Sequence, residues 1–160
     1  MKTKEIFDHF LIENDLSAEI VTAFQTDNSL CKDLIAYSRQ NGNHEFALAL
    51  INMFMANRQQ SCNVMPIQDI MFACFNLALQ NQLEDCLKIW EAKTIDFDTF
   101  YGVDIQLMMF AGVKETIEYL KQQKTEQAQE ALKYVTECLE AGDFDDLHNY
   151  FSKDYLHWYL

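Results

Sequence analysis

The chain predicts an all-α fold of stacked antiparallel helix hairpins, and three observations carry that prediction. A single Pro and four Gly interrupt 160 residues that are 49% hydrophobic, which leaves few breakers and too much apolar surface for disorder. Apolar residues recur at helical spacing, as in Leu30, Leu34 and Tyr37. Four points also share one kind of joint, a Gly or Asn with an acid about three positions on. These are Gly42-Asn43-His44-Glu45, Asn81-Gln82-Leu83-Glu84, Gly112-Val113-Lys114-Glu115 and Gly142-Asp143-Phe144-Asp145. Gly, and less often Asn, takes the left-handed conformation that ends a helix, while an acid in the following first turn suits the positive helix N-terminus. Each joint therefore predicts a helix hairpin.

Taken in order, Lys4 to Glu13 places Ile6, Phe7, Phe10 and Leu11 on one helical face, and Ser17 is an N-cap for Ala18 to Phe24. Asn28 or Ser29 caps the next helix, which Gly42 ends. From His44 to Asn57 the run is apolar on nearly every side, which predicts a central helix packed on more than one neighbour. The polar stretch Gln59 to Met65 reads as a loop, and Pro66 suits the start of a helix over Ile67 to Gln80. Leu83 to Lys93 follows with Cys86, Leu87 and Trp90 on one face; Thr94 to Gly102, acidic and aromatic, reads as a loop or irregular turn. Val103 to Ala111 and Lys114 to Gln123 make a third hairpin, Thr125 caps a long helix to Glu140, and Asp143 to Phe151 completes the fourth. The total is about nine to eleven helices. The tail Ser152 to Leu160 is too aromatic to be left in water and is expected to cap the last hairpin or to dock on a partner.

The joints lie 39, 31 and 30 residues apart, counted between positions 42, 81, 112 and 142, near the roughly 34-residue period of helix-pair solenoids. Over residues 29 to 151 the chain resembles an α-solenoid of the tetratricopeptide or pentatricopeptide type. What recurs is the turn residue, the acid three on, and a small or aliphatic residue five on: Ala47, Cys86, Ile117 and Leu147. A tetratricopeptide repeat also carries a Trp-Leu-Gly-Tyr pattern and a terminal Pro, and neither occurs here. Degenerate repeats in a right-handed superhelix and a non-repeating bundle with similar turns both fit. One domain over 1–160 is expected, with the hairpins at about 29–151 and an aromatic cap at 152–160.

Charge narrows the classes of partner. The net charge of −13 comes from 25 acidic and 12 basic residues, a field that repels nucleic-acid phosphates and anionic lipid and attracts a basic protein or peptide. An acidic surface that only maintains solubility is the plain alternative. Five cysteines, an odd number without C-x-x-C spacing, sit mostly in apolar helical stretches and predict a reducing, cytoplasmic setting. Cys62, in the polar loop, is the one expected to react with thiol reagents. Glu5 and Asp8 break the run a secretion signal needs, and the uncharged stretch Ile70 to Leu83 is too short to span a bilayer.

No catalytic or cofactor motif stands out, so neither an enzyme nor a cofactor is expected. The most pointed chemical candidate is a doubled D-x-x-H, Asp145 with His148 and Asp154 with His157. Di-metal bundles place such pairs on two helices and add further carboxylates, so polar residues on a helix surface are the preferred reading. The methionines, interleaved with Phe54, Phe72, Phe75 and Phe110, read as core filler rather than a binding groove.

Two acidic clusters are more informative. Residues 94 to 104 hold Asp96, Asp98 and Asp104 among Phe97, Phe100 and Tyr101; residues 126 to 146 hold seven acids against Lys133 alone. Asp96, Asp98, Phe100, Tyr101 and Asp104 are the expected partner-binding residues, because aromatics beside carboxylates offer an anchor and charge steering. The expected function is a non-catalytic protein-interaction or scaffold module. The alternative is an acidic inhibitor or immunity-type protein that blocks a basic enzyme. A homodimer through the aromatic tail is compatible with either.

Overall fold

The computed structural model describes residues 2–61 and 64–160, and the described chain is all-α, with no strand among those residues. Cys62 therefore lies outside the described residues. The chain divides into two compact units, one running through Gln80 and including Trp158–Leu160, the other Asn81–His157. No helix among the described residues is long and apolar enough to cross a membrane.

The first unit contains α1 (Thr3–Glu13), α2 (Ala18–Thr26), α3 (Asn28–Gln40), α4 (His44–Gln60) and α5 (Ile67–Ala78). Side-chain caps set the starts of three of them: Ser17 accepts from the Ile20 N–H, Asp27 from Leu30 and Asn43 from Phe46. Asp27 takes the role expected of Asn28 or Ser29, since it lies one residue before the first helical turn and Asn28 is already inside it. α4 and α5 pack as a hairpin, and α2 packs on α3. The enclosed helix is α5, buried at every position from Ile70 to Ala78, rather than α4, where Asn52 and Ala56 are exposed. Asn76 is the one polar side chain in that run, and it accepts a 2.6 Å hydrogen bond from the buried Ser38 hydroxyl. Phe46 packs on Phe7 and Phe10, and Phe72 on Phe24 and Phe54. Met55, Met65 and Met71 are buried among these rings, as core filler should be. At the chain's end, the Tyr159 ring is buried edge-on against Phe75.

The second unit begins with a 3-10 turn at Leu83–Asp85 and continues with α6 (Cys86–Lys93), α7 (Phe97–Gly102), a buried 3-10 segment Ile105–Met109, α8 (Val113–Gln122), α9 (Glu126–Ala141) and α10 (Leu147–Tyr150). Thr125 caps α9 as expected, accepting from the Ala128 N–H at 3.2 Å. α8 and α9 form its hairpin, and α6 packs on both α7 and α9. Ten α-helices thus lie among the described residues. Three segments differ from the sequence reading. Residues 94–102 were expected as a loop, yet 97–102 are helical; 103–111 narrow to a 3-10 segment; 143–151 are turns that close into the four-residue α10.

The four joints prove to be different turns. Asn81 (φ 54) and Gly142 (φ 83) are left-handed, and Gly142 is the C-cap of α9. Gly112 also has positive φ but precedes α8 as its N-cap. Gly42 is not left-handed: α3 ends at Gln40, with Asn41 as its C-cap, and the neighbouring Asn43 caps α4.

Candidate functional site

The acidic-aromatic stretch after α6 folds into α7 because Asp96 and Thr99 make a reciprocal cap. The Thr99 N–H donates to Asp96 Oδ1 at 2.9 Å, and the Asp96 N–H donates to Thr99 Oγ1 at 3.0 Å. Helix geometry then sorts the aromatics by face. Phe97 and Tyr101, four apart, share one side, with ring centroids 4.7 Å apart and exposures of 76% and 72%. Phe100 points the other way, edge-on to the buried Trp90 and to Tyr134 of α9.

Lys93, only 2% exposed, secures the far end of this helix. Its Nζ donates to the carbonyl oxygens of Phe100 and Val103, the latter at 2.6 Å, and lies 5.2 Å from the Phe100 ring centre and 5.5 Å from that of Tyr134. A cation at helix-terminal carbonyls suits the helix dipole, and the two ring faces replace part of its lost hydration. Beyond α7, Asp104 is half-buried and accepts the Tyr150 hydroxyl proton at 2.9 Å. Burial pushes its carboxyl above the ordinary range, while the Tyr150 hydrogen bond and the Lys93 charge oppose that shift.

The five expected site residues therefore take different positions. Asp98 and Tyr101 are exposed on one short helix, Asp96 is its cap, Phe100 faces inward, and Asp104 is tied to Tyr150. Phe97 makes the exposed pair with Tyr101, a partnership signalled by the i, i+4 spacing once the segment is helical.

Tyr150 also borders a cleft of about 440 Å³ whose walls include Asp143, Asp146, Asp154, Gln106 and Tyr155. Gln106 Nε2 donates to the Asp143 carbonyl at 2.9 Å, which ties the 3-10 segment to the turn after α9. The Cys138 thiol is raised by burial first, then by its hydrogen bond to Asp143 and that residue's charge, which keeps it a thiol rather than a nucleophilic thiolate. All seven acids of the 126–146 cluster are exposed: Glu126, Glu130, Glu137, Glu140, Asp143, Asp145 and Asp146. The doubled D-x-x-H does not converge: Asp145 and His148 are exposed, whereas His157 is buried with its ring 4.7 Å from both Tyr150 and Tyr155. Among the described residues no three His, Cys, Asp or Glu side chains gather as a metal-holding group.

Comparison of the chain with protein-family models, curated proteins and solved structures finds no significant match to any of them.

Proposed function

We propose that this protein is a non-catalytic protein-interaction module whose second unit docks a basic partner on α7 and the acidic surface of α9 and the turns after it. The observation that carries this reading is the stacked, solvent-facing Phe97–Tyr101 pair with Asp98 on the same six-residue helix. Two large rings left in water on a helix that is capped at one end and anchored by Lys93 at the other form a rigid hydrophobic anchor with little ordering entropy left to lose. Exposed carboxylates on α9 and in the cleft would steer a cationic surface toward it.

A second reading, an acidic inhibitor of a basic enzyme, is favoured by the −13 net charge and the seven exposed acids of residues 126–146. Both readings meet in one experiment. Host lysate is passed over immobilised wild-type protein and over the Phe97→Ala/Tyr101→Ala variant, and retained proteins are identified by mass spectrometry. The module reading expects a basic protein held by the wild type and lost with the rings. Equal retention on both columns removes α7 as the docking site. For a captured partner, a steep fall of the association rate with added salt favours the inhibitor, and a weak dependence favours the apolar anchor.

A further inference from the structure

The first unit carries a cleft of about 290 Å³ bordered by α2, α3, α5 and the final residues of the chain. Phe24 and Phe72, both buried with rings 5.3 Å apart, form its inner wall, and Trp158, 64% exposed, stands at the outside. Asp69, in the first turn of α5, places a half-buried carboxylate in this aromatic setting. Its side chain accepts one hydrogen bond, from Gln25 Nε2 at 3.1 Å, and among the described residues no cation pairs with it. Gln25 also donates to the Val64 carbonyl at 2.7 Å, so the amide that holds Asp69 is itself held.

A carboxylate offers about four acceptor positions, and one neutral amide leaves most of them unused. Burial raises the Asp69 carboxyl above its ordinary range, the mark of a charge that has lost water and gained no counter-ion. The neighbouring thiol supplies no reactivity: Cys31 donates to the Phe24 carbonyl at 3.2 Å and is pushed up to about 12, first by burial and then by the charge of Asp69. The cleft therefore offers charge and flat aromatic surface, which are the requirements for holding a cation rather than transforming one.

We propose that this cleft binds an arginine side chain of a partner protein, the guanidinium resting on Trp158 and donating to Asp69, whatever the second unit binds. Guanidinium is planar, stacks on indole and pairs with carboxylate in a two-pronged geometry that a compact ammonium cannot copy. The net charge of −13 draws such a group in and disfavours anions.

The test is a titration of the whole protein with acetyl-Ala-Arg-Ala-amide, followed in 1H–15N spectra. The Trp158 indole N–H and the side-chain amides of Gln25 and Gln68 should shift together. The same peptide with citrulline, neutral and equal in shape, should bind roughly tenfold more weakly or less, as expected when a charge-assisted bond is lost. Asp69→Asn should reduce the arginine peptide to the citrulline level. Trp158→Ala should weaken binding without lowering Tm, because the indole is exposed, and it serves with the citrulline comparison if the Asp69 variant does not fold. Equal binding of the two peptides, shifts confined to other residues, or unchanged binding by the variants would overturn the proposal. Tighter binding of free arginine than of the blocked peptide would also overturn it, by making the cleft a small-molecule site.

Discussion

Tyr150 and Asp104, 46 residues apart in sequence, are joined by a 2.9 Å hydrogen bond from phenol to carboxylate. That bond ties the turn leaving α7 to the short helix beside the acidic cleft, so the two parts of the candidate site share one strut. Tyr150→Phe keeps the ring packing on His157 and Phe151 and removes only the donor. A loss of about 1 kcal/mol of unfolding free energy at neutral pH is expected, the usual net value of such a bond. Urea denaturation measures it, and unchanged stability would mean that water replaces the phenol without cost.

Asp69 and Asp104 are both raised by burial, and the sign of the consequence follows. The folded state binds these protons more tightly than the unfolded state, so the stabilisation is complete below the ordinary carboxylate pKa of about 4 and is lost as pH rises through the raised folded values. Asn at either position mimics the protonated form at every pH. Between about pH 3 and about pH 7, the stability of Asp69→Asn and of Asp104→Asn should improve relative to wild type. A difference from wild type that stays constant across a series of denaturation curves would contradict the shifts.

Lys93→Met retains the aliphatic stem and deletes the ammonium. The carbonyls of Phe100 and Val103 lose their donor in a buried setting, and a destabilisation of about 2–4 kcal/mol is expected from two orphaned acceptors. Hydrogen exchange should also quicken at the C-terminal end of α7. Destabilisation without that local opening would place the role of Lys93 in packing alone.

Gly142 and Gly42 look alike in the sequence and should respond differently to Ala. Gly142 is left-handed, and a Cβ there would also stand 3.2 Å from the Asp145 carboxylate, so a cost of about 1 kcal/mol is expected. At Gly42 the backbone is ordinary, and the nearest atom, 2.9 Å away, is the movable Oε1 of Gln80. A cost under about 0.5 kcal/mol should result. Thermal melts of the two variants compare them directly.

Helix content was legible because it rests on local signals: the caps at Ser17, Asn43 and Thr125 lie where side-chain chemistry places them. α7 was hidden because its cap is an Asp-x-x-Thr reciprocal pair inside a stretch whose acids and aromatics resemble loop composition. The candidate site was legible in composition but not in orientation. Asp96, Asp98 and Asp104 are equivalent in sequence; the cap makes one structural, Tyr150 claims another, and Asp98 stays exposed with the rings. The Lys93 anchor and the Tyr150 strut depend on tertiary contacts that periodicity does not carry. The apparent repeat of four joints mixed left-handed C-caps with a helix N-cap and an ordinary Gly, since Gly serves all three uses.

The clearest division of labour is expected on α7 itself. Removing the rings in Phe97→Ala/Tyr101→Ala should change folding stability by less than about 0.5 kcal/mol, because both are mostly in water and their loss uncovers no core. Against a captured basic partner, the same change should act on dissociation, raising the off-rate by roughly tenfold or more, since anchoring rings are paid for in residence time. Asp98→Asn should act on the other rate. An exposed carboxylate steers encounter, so association should slow about two- to threefold at low ionic strength and match wild type in high salt. Asp96→Asn should do neither and instead weaken the α7 cap, which a small drop in Tm would register. If both rates survive loss of the rings and of the Asp98 charge, the exposed pair serves something other than docking, and the acidic cleft around Asp143 and Asp154 becomes the surface to mutate.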